Sequence, residues 1–161
     1  MTDGTAPTGA KVEIRRRMRQ WRRELTDRDV RSERLWHHAV ELPAVAAAGR
    51  VLVFATVVGE PEIGPFERWC AEHGVAMAVP EDDVDPAWPD VVVVPGLAFT
   101  ADGRRLGQGG GWYDRYLAQV PPGCVTVGVC FAGQLVDDLP TEPHDIAVDV
   151  VVTEQGLARQ P

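Results

Sequence analysis

The groups best suited to chemistry in this sequence share one stretch, VVVVPGLAFTADGRRLGQGGGWYDRYL at residues 91–117. Four valines running into Pro95-Gly96 read as the end of a buried strand. After a loop, Gly107, Gly109, Gly110 and Gly111 lead into a helix starting near Trp112. Glycines let backbone approach an anion and turn successive N–H groups toward it, and a helix N-terminus adds unpaired donors and the positive end of its dipole. Arg104 and Arg105 stand just before the loop, where guanidinium groups can donate charge-assisted hydrogen bonds to phosphate oxygens. The pattern reads as a phosphate site. It is neither a dinucleotide fingerprint nor a P-loop: the third glycine of G-x-G-x-x-G falls on Trp112 or Asp114, and Gly111 is followed by Trp112-Tyr113 instead of Lys and a hydroxyl residue.

Asp114 falls in the first turn of that helix, where a carboxylate either answers the helix dipole or serves as a ligand for Mg²⁺, which takes one or two carboxylates plus its substrate's phosphates. A second carboxylate is available in the C-terminal cluster of Asp137, Asp138, Glu142, His144, Asp145 and Asp149, and spacing does not choose among them. Other chemistries are excluded. Ser32 is the only serine and stands in an Arg-rich helical stretch, so there is no G-x-S-x-G elbow. H-E-x-x-H is absent, and Cys70 with His73 gives two ligands on one helical face where zinc wants three or four. Cys124 and Cys130 bracket an apolar strand, where thiols act as small hydrophobes, so no cysteine catalysis is expected.

Such a site needs elements to hold it. Residues 11–25 read as a helix because Val12, Ile14 or Arg15, Met18, Trp21 and Leu25 recur at three- and four-residue steps, with Arg on the other faces. Thr26 or Asp27 caps a second helix, which turns Val30, Leu35, His38 and Ala39 inward until Pro43 ends it. Glu13, Glu24, Asp27, Asp29 and Glu33 dilute the basic charge, so the Arg-rich surface reads as a solvated face. Apolar, largely β-branched runs at 51–57, 75–79, 90–94, 124–129 and 147–152 read as strands, with helices at 65–73 and 111–120. Strands alternating with helices imply an α/β fold with a largely parallel sheet, one domain over residues 11–161. Residues 1–10, rich in Thr, Gly, Ala and Pro, read as a flexible tail, and the acidic, proline-rich 81–89 as an exposed connection.

With 161 residues, 45% hydrophobic and 25% charged, the chain has the composition of a soluble globular domain that needs no disulfide framework or structural metal. Three cysteines without a C-x-x-C pair fit a reduced, cytoplasmic setting. No apolar run approaches a membrane span, and no secretory signal opens the chain. The net charge of −8 argues against a general nucleic-acid binder. The charge is uneven: residues 1–36 carry ten Lys/Arg and six Asp/Glu, while the rest carries six and eighteen. Lys11 is the only lysine among sixteen basic residues.

On these residues the chain resembles the 5-formyltetrahydrofolate cyclo-ligase family, also called methenyltetrahydrofolate synthetases. Residues 93–117 look like the family's V-P-G-x-A-F strand end and R-L-G-x-G-x-G-Y-Y-D-R loop. Gln134-Leu135-Val136, Leu139-Pro140, Glu142, His144-Asp145 and Val148-Asp149 with Thr153-Glu154 follow in order, and Lys11 with Arg15 matches its K-x-x-x-R opening. The resemblance implies a three-layer α/β/α sandwich and conversion of 5-formyltetrahydrofolate to 5,10-methenyltetrahydrofolate with ATP and Mg²⁺, yielding ADP and phosphate. It implies that Lys11 and Arg15 contact ATP phosphates and that Arg105 with Gly107, Gln108, Gly109, Gly110, Gly111, Trp112 and Tyr113 cradles the triphosphate. Arg105 and Tyr113 then stand at the reacting groups, and Asp114 and Asp149 hold Mg²⁺. Glu60, Gln108 and Trp112 face the folate.

Three positions depart from the family pattern. Trp112 replaces the first Tyr of Y-Y-D, Ile63 replaces the Thr of Glu-x-x-Thr, and the segment between Pro80 and Trp88 is much shorter. The ATP half of the pattern is therefore fuller than the folate half. The expected protein is a monomer acting on ATP and a reduced folate, with no nucleic-acid or membrane partner. Two alternatives stand beside it: a paralogue using the same ATP site on another formyl or carboxyl substrate, and a nucleotide- or folate-binding protein without turnover.

Overall fold

The run Val91–Val94 is buried along its whole length, and so is Val150–Thr153, as unbroken β-branched runs require when helices cover both faces of a sheet. The computed structural model describes residues 5–158. In chain order its elements are α1 (Thr5–Glu24), α2 (Arg28–Val40), α3 (Pro43–Ala46), β1 (Arg50–Leu52), α4 (Gly64–His73), β2 (Ala76–Ala78) and β3 (Val91–Val94). The hairpin strands β4 (Ala98–Phe99) and β5 (Arg105–Leu106) follow, then α5 (Trp112–Leu117), β6 (Val125–Val129), β7 (Val150–Thr153) and β8 (Gly156–Leu157). The sheet order is β2-β1-β3-β6-β7-β8, parallel except for the last pair.

Side chains alternate across this sheet with the strand period of two. Val51, Val91, Val93, Val127 and Val150 pack on one side against Leu35, Trp36 and Phe66 of α2 and α4. Leu52, Val92, Val94 and Val151 pack on the other against Phe99, Tyr116 and Leu117. Burying each such side chain contributes about 1.5–3 kcal/mol. The result is the expected α/β/α arrangement with a largely parallel sheet. Among the described residues no helix is long and apolar enough to cross a membrane.

Three local expectations are corrected. The first helix starts at Thr5, so residues 5–10 are helical where a tail was expected; residues 1–4 of that tail lie outside the described residues. Pro7 is tolerated there because the first four amides of a helix lack intrahelical partners. The first ladder ends at Leu52 instead of Val57: after the Val53 amide bonds Ala78 O, the chain leaves the sheet and loops to Glu60. The glycine stretch also contains a hairpin, β4–β5, that short-range periodicity does not reveal. This hairpin carries α1, since Met18 packs with Leu97, Ala98, Leu106 and Leu139.

At Gly128 on β6 the sheet packs closely on Phe99 of the hairpin. A Cβ there would lie 2.5 Å from Phe99 Cε1 and 3.0 Å from Val148 Cγ2. Gly128→Ala is expected to destabilise the fold by about 1–3 kcal/mol through overpacking, read as a lower urea midpoint. An unchanged midpoint would show that Phe99 moves freely.

Candidate active site

Strand order reverses between β1 and β3, and in open parallel sheets the crevice at that switch point, beyond the strands' carboxyl ends, is where ligands bind. A cavity of about 700 Å³ lies there, lined by Phe54 and Ala55 after β1 and by Pro95 and Gly96 after β3. The basic helix forms one wall. Lys11, Arg15, Met18 and Arg22 make a stripe at i, i+4, i+7 and i+11, all buried or half-buried, while Arg16, Arg17, Arg19 and Arg23 are exposed, so the expected solvated face holds for only part of the helix. Lys11 Nζ donates to Glu142 Oε1 at 3.0 Å and Asp145 Oδ2 at 3.1 Å. Arg15 Nε donates to Gly107 O at 2.9 Å, and Arg19 Nη2 to Gln108 Oε1 at 2.9 Å. Burial opposes the Lys11 charge, but its bonds to Glu142 and Asp145 prevail and raise its pKa above 10.5.

The adjoining wall is the glycine loop. Gly109 at φ 113° and Gly111 at φ 72° occupy backbone conformations that side chains disfavour, so both positions favour glycine. The helix that follows has six residues, so cationic side chains outweigh its dipole. Arg105 Nε donates to Pro95 O at 2.6 Å, and its guanidinium carbon lies 5.1 Å from the Tyr113 ring centroid, within cation–π range. Burial lowers the Arg105 pKa, opposed by Asp114, Tyr113 and Glu60, and a guanidinium remains charged throughout. Burial also raises the Tyr113 hydroxyl pKa, keeping it protonated as a donor. Trp112 is 36% exposed at the cavity and stacks on Tyr116 at 4.8 Å.

Glu60 closes the third side. It is 6% exposed, and its Oε1 accepts the Val57 amide at 3.2 Å. Burial raises its pKa, countered by that amide, Arg22 and Arg105. The next residues are pinned from α2: Ser32 Oγ accepts the Glu62 amide at 3.0 Å, and Trp36 Nε1 donates to Glu62 O at 2.7 Å. The only serine is thus a buried loop anchor.

The structure brings Lys11, Arg15, Glu60, Arg105, residues 107–111, Trp112, Tyr113 and Asp114 to one cavity. It does not bring Asp149. That carboxylate accepts the amide and hydroxyl of Thr126, at 2.9 and 3.1 Å, beside the amino ends of β6 and β7, so the opposite end of the sheet separates it from Asp114. The carboxylates of the C-terminal cluster that line the cavity are Glu142 and Asp145. Arg104 is likewise outside, paired with Asp102 and Asp138. Asp114 Oδ1 accepts the Ile146 amide at 3.0 Å, tying the glycine helix to this acidic loop.

Among the described residues no three His, Cys, Asp or Glu side chains are arranged to hold a metal by themselves. The donor set still fits Mg²⁺, which needs only one or two carboxylates when a substrate supplies phosphates. Three cationic side chains face five carboxylates in the cavity lining, an excess of negative charge that a divalent cation would offset beside a triphosphate. Sequence reading did not single out Asp145 or Glu81, which line the cavity, or Arg22, which is buried behind the Glu60 loop. Asp145 stood in a named cluster, but nothing local distinguished it from Asp149. All three thiols are buried, with Cys70 and Cys124 pushed up to about 11 chiefly by burial, in keeping with inert packing.

A model of the 5-formyltetrahydrofolate cyclo-ligase family matches residues 72–154. The 5-formyltetrahydrofolate cyclo-ligase of Mycolicibacterium smegmatis is 42% identical over 64 residues, covering 40% of this chain and 33% of that protein. The mouse 5-formyltetrahydrofolate cyclo-ligase is 36% identical over 100 residues, covering 58% and 48%. The alignments thus span a third to a half of these relatives' length. An NMR structure of Aquifex aeolicus 5,10-methenyltetrahydrofolate synthetase superposes with a TM-score of 0.81 at 27% identity, covering 91% of each chain. A 5,10-methenyltetrahydrofolate synthetase from Mycoplasma pneumoniae, at 20% identity and a TM-score of 0.79, shares the fold over 89% of this chain and 98% of that one.

Proposed function

The chain belongs to the 5-formyltetrahydrofolate cyclo-ligase family, and from that premise we propose that it converts 5-formyltetrahydrofolate to 5,10-methenyltetrahydrofolate with cleavage of ATP to ADP and phosphate. The observation that carries this reading is the convergence of Lys11, Arg15 and Arg105 with the glycine loop in one cavity that also holds Glu60. A triphosphate lies along the cationic wall, and the reduced folate lies toward Glu60 and Trp112. The same reading takes residues 11–161 as one domain acting as a monomer in the cytoplasm, where its three free cysteines stay reduced.

The formyl oxygen attacks the γ-phosphorus, and the bond to the bridging oxygen breaks, releasing ADP. N10 then adds to the activated formyl carbon and loses its proton, and phosphate leaves as the five-membered ring closes. The reacting groups all belong to the substrates, so the protein contributes position and charge. Arg105, fixed by Pro95 O and backed by the Tyr113 ring, stands where negative charge gathers on the transferred phosphoryl group. Lys11 and Arg15 hold the triphosphate end, and residues 107–111 offer backbone N–H groups. Asp114 and Asp145 are the carboxylates at hand for Mg²⁺, which when bound neutralises phosphate charge.

The test is near-ultraviolet absorbance of the protein mixed with 5-formyltetrahydrofolate and Mg·ATP, against an ATP-free control. ATP-dependent appearance of methenyltetrahydrofolate is the expected result. Its absence in a protein that binds ATP would overturn the assignment in favour of a different acceptor.

A further inference from the structure

Arg22 is the last member of the α1 stripe and does not line the cavity. It is nonetheless 6% exposed, and it lies directly behind the loop that carries Glu60. Its Nη2 donates to Val58 O at 3.0 Å. Gly59, at φ 94°, lies flat on the guanidinium: a Cβ there would sit 2.5 Å from Nε and 2.9 Å from Cζ. The other guanidinium nitrogens, Nε and Nη1, are buried without a hydrogen-bond partner. A buried cation held by one carbonyl is costly to the fold, and stability alone gives no reason to keep it. The acidic group whose charge offsets this burial is the buried carboxyl of Glu60, one residue beyond Gly59.

We propose that Arg22 is a positioning residue for the folate end of the site, holding the 57–59 turn from behind and supplying the buried positive charge against which the Glu60 carboxylate is set. This rests on the reading of Glu60 as the folate-facing group. A pterin ring presents N–H donors, which a carboxylate can accept and a carboxylic acid answers less well. Burial pushes Glu60 toward the acid form, and the groups opposing it are the Val57 amide, Arg22 from α1 and Arg105 from β5, with the Tyr113 hydroxyl protonated nearby. Arg105 belongs to the phosphate wall, so Arg22 is the cation dedicated to the folate side. By fixing Val58 O it also sets the rim, where Val57 lines the cavity and Val58 is 90% exposed.

The experiment compares Arg22→Met, which keeps the stem and removes the charge, with Arg22→Lys, which keeps the charge. KM for 5-formyltetrahydrofolate and for ATP is measured from pH 5 to 8. Glu60 is titrated separately by carboxyl NMR in ¹³C-glutamate-labelled protein, its signal assigned by Glu60→Gln. Arg22→Met is expected to raise the folate KM about ten-fold, as for a lost charge-assisted contact, with the ATP KM within about two-fold. Glu60 should titrate about one pH unit higher. Because the acid form is then favoured, the folate KM should begin to climb at a higher pH as the solution is acidified. Arg22→Lys should restore the Glu60 titration and most of the folate KM.

Equal rises in both KM values, or an unmoved Glu60 titration, would overturn the proposal. Should Arg22→Met not fold, Gly59→Ala displaces the guanidinium while keeping it and must give the same split between the two substrates. The NMR titration needs no substrate, so a wild-type protein without folate turnover would sink the functional reading while still deciding whether Arg22 sets the charge of Glu60.

Discussion

Arg105→Met is expected to lower turnover about a thousand-fold while leaving the protein folded, the scale on which loss of a fixed charge at the developing transition-state charge is felt. Arg105 is held at both ends of its guanidinium environment, by Pro95 O at 2.6 Å and by the Tyr113 ring at 5.1 Å, so its charge sits at one place in the cavity before substrate arrives. Methionine fills the stem's volume but restores neither the charge nor the fork. Arg105→Lys should recover little, since one ammonium cannot hold Pro95 O and reach a phosphoryl oxygen together. The measurement is steady-state kcat with a parallel thermal melt. A variant within ten-fold of wild type would remove Arg105 from the reacting centre and leave it as a loop brace.

Lys11→Met is expected to weaken ATP binding about a hundred-fold, or about 2.7 kcal/mol, with a smaller change in the folate KM. Lys11 is 8% exposed and donates to both Glu142 and Asp145. Its removal therefore takes a cation from the phosphate wall and leaves two carboxylates facing the triphosphate without their partner. Both effects act against ATP. Titration calorimetry with Mg·ATP measures the loss directly. Unchanged affinity would mean that Lys11 serves only to pin the 142–146 loop, and the melting temperature alone would then fall.

Two neighbouring pairs show how far local sequence reaches at this site. Arg104 and Arg105 are adjacent and chemically identical, yet at the start of β5 the chain turns Arg105 into the cavity and Arg104 outward to Asp102 and Asp138. Asp145 and Asp149 are four residues apart in one acidic cluster. The first reaches Lys11 at the carboxyl end of the sheet, and the second binds Thr126 at the amino end, because the chain between them runs the length of β6 to enter β7. Neither distinction is written in residue type or short-range spacing.

What the sequence determined by itself was everything that depends on neighbours along the chain. Unbroken valine runs demanded a sheet covered on both faces, alternation with helices made it largely parallel, and clustered glycines beside arginine marked the loop that lines the cavity. The tertiary structure alone decided which distant groups share a cavity. It brought Lys11 and Arg15 across some ninety residues of chain to the glycine loop, set Arg22 behind Glu60, and chose Asp145 over Asp149. Those choices follow from strand order and the reversal between β1 and β3, which are fixed by packing between elements far apart in the chain.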